Sequence, residues 1–543
     1  MRMWGERLTA TAIGVAVFLA GAALLSLEIA SSRVMAPYFG NSLFVWGALI
    51  GVVLAGLSLG YWIGGIVADR MATPRFFVGI LVFAALLVLA IPFVDGWLLE
   101  QVVRWNPGPR LNPVVATIAI FGLPAVVLGT VSPVAVKLLA RSLERLGRTA
   151  GRLFAVSTAG SIAGTFATAF FLIPELGTDQ LIATLAVVLL LAAAGVAVAE
   201  RLVVPSLVAL VLGVTSLAAV ASLAPEEQGR VTASQLQNWS PVYRQRGAED
   251  RAGGPDFGQE GYDVVYTKDT RYHRVAVVDD DLSRYLRFDN SFQSGMWLDD
   301  PYETRFEYSD YLHLGLAYND DVRRVLFVGL GGASAPKRMW RDFPAVRFDA
   351  VELDPDVVDV AYRFFEMPRD PRLNVEVEDG RRYLVQNDER WDVIVLDAFY
   401  ADSIPFHLAT QEFLQLAKSR LAVGGVVVTN IIGATSGAES RLLRSMLRTY
   451  RTVFPTVAVH PVRVEGDENL SGVRNIIFVA GESAAPSKDF LLERWRDTRR
   501  TAPGAPDLSL AIRDRLDRPI PTEDVPVLTD DYAPTDALLL LFG

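Results

Sequence analysis

Apolar positions are distributed in two ways along this chain. Up to about residue 224 they form long, nearly unbroken runs; after about 263 they form short runs separated by polar turns. A bilayer-crossing helix needs about 20 mostly apolar residues. Seven stretches qualify, near 9–32, 43–67, 76–94, 113–136, 153–173, 180–199 and 203–223. The pattern predicts an α-helical membrane domain over 1–224 with about seven transmembrane helices and contact with the lipid bilayer. Arg2, Arg7, Arg70, Arg75, Lys137, Arg141, Arg145, Arg148 and Arg152 mark the loops expected on the cytoplasmic side.

Gly56, Gly60 and Gly64 recur every fourth residue, as do Gly160 and Gly164. Such a stripe lets a neighbouring helix approach closely, so helix packing is its simplest role. Glu28 stands inside the first stretch, five residues before Arg33, and reads as half of an ion pair at the membrane edge.

Residues 225–262 are rich in Gly, Pro, Gln and charge and read as a linker. The runs VAVVDD and RYLRFDN predict a hairpin, and with it a small β domain over 263–300. A helix is expected at 303–317. Strand-like and helix-like runs then alternate: VLFVGL (325–330), FDAVEL (348–353), VEVEDG (375–380), DVIVLD (392–397) and GGVVVTNI (424–431) are the strands. VAVHPV and NIIFVAG complete the sheet. Alternation of this kind means a mainly parallel sheet covered by helices over 301–543.

Composition sharpens the division. Of the 543 residues, 51% are hydrophobic and 21% charged, with a formal net charge of −10. The first 224 positions carry a net charge of +4 and the remainder −14. An acidic second half argues against nucleic acid, whose phosphates need clustered Lys and Arg. No Cys is present, and the four His (His273, His313, His407, His460) are scattered, so no metal centre is expected.

In a parallel α/β sheet, ligands sit at the carboxyl ends of the strands. Gly329, Gly331 and Gly332 follow the first strand; Glu352 and Asp354 close the second, Asp379 the third and Asp397 the fourth. A Gly turn lets a ligand approach the backbone. An acid ending the second strand can accept from both ribose hydroxyls, and one ending the third from an adenine amino group. The combination points to a nucleoside-type ligand, although Ser334 replaces the third Gly of the dinucleotide fingerprint.

These residues resemble the polyamine aminopropyltransferases, the spermidine synthase family, in the branch fused to a membrane region. The likeness covers about 263–480, and LTDDYAPTD (528–536) matches as well. It implies a small β domain on a class I methyltransferase-like, Rossmann-like fold. It implies decarboxylated S-adenosylmethionine as co-substrate, with no tightly bound cofactor, and a diamine such as putrescine as acceptor. Homo-oligomers, dimers or tetramers, are also implied. LRFDNSFQ matches the family's LxxDGxxQ and supplies Asp289 and Gln293. TRYH puts His273 where Gln is usual, and YSD supplies Tyr308, Ser309 and Asp310. Gln293, Gly329, Gly331, Gly332, Glu352, Asp379 and Gly380 are thereby implied as nucleoside contacts, and Tyr308, Asp310 and Asp397 as acceptor contacts.

The catalytic loop departs from the pattern. In DAFYADSIPFHLATQEF, Asp397 fits the family's first Asp, but Tyr400 falls on the second and Asp402 lies two residues beyond it. An attacking amine is an ammonium at neutral pH and needs an acceptor for its proton. Asp397 and Asp402 are the candidates, with Tyr400 facing a cation through its ring. Phe399 and Phe406 read as pocket wall, and His407 as a loop His within reach of proton transfer.

Two other functions stay open: a methyltransferase using intact S-adenosylmethionine, and a nucleoside-binding sensor without turnover. Seven spans with the N-terminus inside would put the second half outside the cell, away from any supply of a sulfonium donor. If one of the last two spans is instead re-entrant or interfacial, six crossings remain and the second half lies inside, so the side of the membrane stays open too.

Overall fold

The computed structural model describes residues 2–39, 43–222, 263–535 and 538, except 106, 109, 141–145, 177, 290, 400–403, 464–469 and 471. The expected linker, 225–262, lies outside the described residues. By internal contacts the chain forms two compact units, 1–235 with 268–274, and 236–267 with 275–543.

The first unit is helical. Among the described residues six helices are long and apolar enough to cross a bilayer: Arg7–Ala36, Phe44–Met71, Pro74–Trp105, Leu111–Leu139, Leu146–Leu172 and Thr178–Ala199. The seventh expected span falls on the helix Val203–Ser222. The glycine stripes do pack. A Cβ on Gly60 would strike the Val126 carbonyl and the Gly129 Cα, and one on Gly160 would strike the Phe18 backbone. Backbones this close exchange dispersion contacts that side chains would block. Among the described residues Glu28 makes no ion pair with Arg33, against expectation; a polar link within the helical unit joins Lys137 Nζ to Asp69 Oδ1, at 2.7 Å.

The second unit holds two sheets. Strands β1 (Asp263–Asp269), β2 (Arg274–Asp279), β3 (Ser283–Phe288) and β4 (Ser291–Trp297) form the smaller one in that order. The predicted hairpin is β2–β3, with Val275 opposite Phe288. Val275, Val277, Leu286, Phe288 and Met296 make an apolar face that packs on Val357, Val360 and Phe365.

The larger sheet contains β5 (Arg324–Val328), β6 (Arg347–Glu352), β7 (Leu373–Val377), β8 (Trp391–Leu396), β9 (Leu421–Gly433), β10 (Thr456–Pro461) and β11 (Arg474–Gly481). Its order is β10-β11-β9-β8-β5-β6-β7. The strands from β9 to β7 are parallel, and β11 and β10 are antiparallel additions. The sheet is therefore mixed, with a parallel centre. Strands β6 and β7 build outward on one side of β5, and β8 and β9 on the other. That reversal opens a crevice at the carboxyl ends of β5 and β8.

The helix expected over 303–317 is split into Glu307–Tyr311 and Leu314–Tyr318. The turn between them seats Gly315 on the sheet, where a Cβ would meet Val393 at 2.5 Å and Val428 at 2.9 Å.

The glycine stripe yields a test. Gly60→Leu should lower the melting temperature of the detergent-solubilised chain, by an overpacking cost of about 1–3 kcal/mol. Gly65→Leu, which has open space beside its Cα, should change it little.

Candidate active site

The turn after β5 is set by its neighbours. Gly329 (φ +97°) and Gly331 (φ +53°) occupy the left-handed region. A Cβ on Gly329 would strike the carbonyl of Asp397, so β5 and the end of β8 can close together only with glycine there. Backbone bonds fix both ends: Gly329 N–H donates to Val351 O at 2.9 Å, and Asp397 N–H to Val328 O at 3.0 Å. Past the turn, Gly332 N–H donates to Ser294 Oγ at 2.8 Å and Ser334 Oγ to Gly295 O at 3.1 Å. The smaller sheet thus secures the loop through β4.

Glu352 ends β6 and is buried. Its Oε2 accepts from Leu330 N–H at 3.0 Å and its Oε1 from Asp354 N–H at 3.1 Å. Burial pushes its pKa up, against those donors. Asp379 caps the helix Gly380–Gln386 through Arg382 N–H at 2.9 Å. Its second oxygen, Oδ2, meets His407 Nε2 at 2.9 Å, and that imidazole holds the carboxyl below its ordinary range. Gly380 is required for packing, since a Cβ would strike the Val328 side chain.

Asp397 sits at the end of β8, where burial raises its pKa to about 6. Asn430 Nδ2 donates to its Oδ1 at 2.9 Å, and Asn475 Nδ2 donates to Asn430 Oδ1 at 3.0 Å. The second bond fixes which way the Asn430 amide points, and so keeps its NH₂ on the carboxylate.

The other expected residues are placed unevenly. Tyr400 and Asp402 lie outside the described residues. Gln293 is in β4, and its carbonyl accepts from Tyr308 OH at 3.0 Å. Asp289 is buried with φ +50°. Asp310 is engaged by Arg338 Nη1 at 2.8 Å and by the Thr304 hydroxyl. Burial raises its pKa to about 6 although Arg338 opposes the shift. Glu303 also pairs with Arg338, at 2.8 Å. Arg338 is thus shared between the two carboxylates. Phe399 packs on the core and Phe406 is exposed. His313 and His460 are buried, and burial lowers them to about 3 and about 4, so both stay neutral at pH 7. His460 bonds Ala511 O and Tyr318 OH, at 2.8 and 2.9 Å, which is a packing role. Among the described residues no group of His, Asp and Glu is arranged to hold a metal ion.

Sequence reasoning missed Asn430, Asn475 and Ser294. An amide closing the apolar run VVVTN was the one visible signal.

Among known proteins, residues 305–465 match the family model of the spermine/spermidine synthase domain. Over that stretch the chain is similar to spermine/spermidine synthase domains. The polyamine aminopropyltransferase of Vibrio vulnificus is 36% identical over 160 residues, 28% of this chain and 52% of that protein. A probable polyamine aminopropyl transferase of Bifidobacterium longum is 25% identical over 226 residues, 41% of this chain and 50% of that one. This chain thus spans about half the length of those relatives. The eEF1A lysine and N-terminal methyltransferase of Mus musculus is 34% identical over 155 residues, 27% of this chain and 21% of its own length. Among solved structures, a probable spermidine synthase from Corynebacterium glutamicum is 22% identical, with a TM-score of 0.38, covering 44% of this chain and 94% of its own.

The buried Asp397 makes stability depend on pH. Its folded pKa exceeds the unfolded value, so its contribution is full below about pH 4. That contribution is lost as pH rises through about 6. Asp397→Asn should therefore flatten the fall in melting temperature across that interval. Asn430→Leu, which removes the donor, should steepen the fall and move its midpoint upward; thermal unfolding of the full chain at stepped pH measures both.

Proposed function

We propose that the protein is a membrane-bound aminopropyltransferase that moves the aminopropyl group of decarboxylated S-adenosylmethionine to a diamine such as putrescine. The observation that carries this is the set of carboxylates closing β6, β7 and β8 around the Gly329–Gly332 turn, inside the stretch that matches the spermine/spermidine synthase domain. The names of the Vibrio and Bifidobacterium relatives favour the same reaction. Six apolar helices of sufficient length support a multi-pass anchor.

In this reading Glu352 receives the ribose hydroxyls, Asp379 the adenine amino group, and Asp397 the attacking amine. The amine nitrogen bonds to the methylene beside the sulfonium, the carbon–sulfur bond breaks, and the electron pair leaves on sulfur as methylthioadenosine. The surplus proton on nitrogen passes to Asp397. Burial suits that residue to the task, because a pKa raised toward neutrality makes a carboxylate a better proton acceptor. Asn430 holds it in one orientation as the proton arrives.

The mouse relative favours a second reading, methyl transfer from intact S-adenosylmethionine. Product mass separates the two. With decarboxylated donor and putrescine, the first reading gives spermidine and methylthioadenosine. Methylated product and S-adenosylhomocysteine from the intact donor would replace it, and no turnover with either donor would leave a binding protein.

Two outcomes are expected for the active enzyme. Asp397→Asn should lower kcat by about 100-fold or more with a modest change in donor affinity; full activity would move catalysis elsewhere. The wild-type rate should rise with pH through about 6, as Asp397 ionises. Glu352→Ala should abolish nucleoside binding, read by calorimetry on the folded protein.

A further inference from the structure

The base end of the site is held by a part of the chain far from it in sequence. Asp379 depends on His407 for one of its two oxygens, and His407 stands in the short turn Phe406–Leu408. Three things hold that turn. Arg381 Nη1 donates to the His407 carbonyl at 3.2 Å. The same guanidinium forms a two-pronged pair with Asp530, at 2.7 and 2.6 Å. Thr410, which caps the helix Gln411–Ser419, donates its hydroxyl to Asp530 Oδ1 at 2.7 Å.

The backbone around Asp530 is tied to the same place. Asp530 N–H donates to Glu412 Oε2 at 3.0 Å, and Gln411 N–H donates to Leu528 O at 2.9 Å. Leu528 N–H reaches Thr449 Oγ1 at 2.9 Å, and Leu528 is fully buried. Thr529 and Tyr532 bridge across the turn between them. One carboxylate therefore grips both flanks of the His407 turn: Arg381, two residues past Asp379, and Thr410, three past His407.

We infer that Asp530 is a positioning residue for nucleoside recognition, fastening the His407 turn so that His407 keeps Asp379 aimed at the base. This rests on the proposed nucleoside role of Asp379. The Arg381–Asp530 pair is partly open to solvent and adds little stability by itself. Its value is geometric, because a bidentate fork fixes direction as well as distance. The chemistry at Asp397 is on another strand, so loss of the fastening should weaken donor binding and leave the chemical step alone.

The test uses the full chain in detergent, with methylthioadenosine as probe. Asp530→Asn should raise its Kd about tenfold, the cost of a lost charge-assisted hydrogen bond. KM for the donor should rise in parallel, with kcat within about twofold. Arg381→Lys keeps the charge and loses the fork, and should behave alike. Asp530→Glu should recover part of the affinity. His407→Ala should weaken binding as much, with no further loss when combined with Asp530→Asn. Hydrogen exchange provides the readout that needs no ligand: amides of 404–410 should exchange faster in Asp530→Asn and Arg381→Lys. Unchanged exchange there would overturn the fastening. So would full affinity in Asp530→Asn beside weak binding in His407→Ala. If the wild type does not bind methylthioadenosine, the nucleoside reading fails and the inference fails with it; the exchange arm then shows separately whether the turn is fastened.

Discussion

The second unit depends on the contact between Gly329 and the backbone of Asp397. Two parallel strands, β5 and β8, must end side by side, and the turn leaving β5 must fold over the carbonyl that follows β8. A side chain at position 329 would separate them. Because they do meet, Leu330 N–H points at Glu352 from β6, and Asp397 is set beside Asn430 from β9. Four strands thus bring their ends to one place, and a glycine with positive φ is the condition for it.

Burial then decides what the acids can do. Glu352 and Asp397 are both pushed upward by desolvation, but they are satisfied differently. Glu352 accepts two backbone N–H groups, which suits a receptor for hydroxyls. Asp397 has one amide donor on one oxygen, which leaves the other oxygen free of that bond. Asp379 lies nearer the surface and is pulled the other way by His407. Three carboxylates at the ends of neighbouring strands are thereby shifted in opposite directions, Glu352 and Asp397 up and Asp379 down.

Much of this was legible in the chain. The apolar runs of β5, β6, β7 and β8 each end in a Gly or an acid, and runs of that length bounded by polar residues read as buried parallel strands. The glycine stripes announced close helix contacts for the same reason: a periodicity of four is a property of one element. What could not be read depends on pairing between elements. Asn475 reaches Asn430 only because β11 runs antiparallel to β9 in one register, placing Asn430 opposite Ile477. The Asp310–Arg338 pair is likewise a tertiary event that no local motif announces.

The link from Arg381 to Asp530 spans 149 residues of sequence. A chain emerging from the ribosome would lay down every strand of the sheet, and all three acids, before Asp530 is available. The order of synthesis therefore separates folding of the sheet from completion of the contacts around Asp379. A nascent domain would acquire its shape first and the fastening of the His407 turn later.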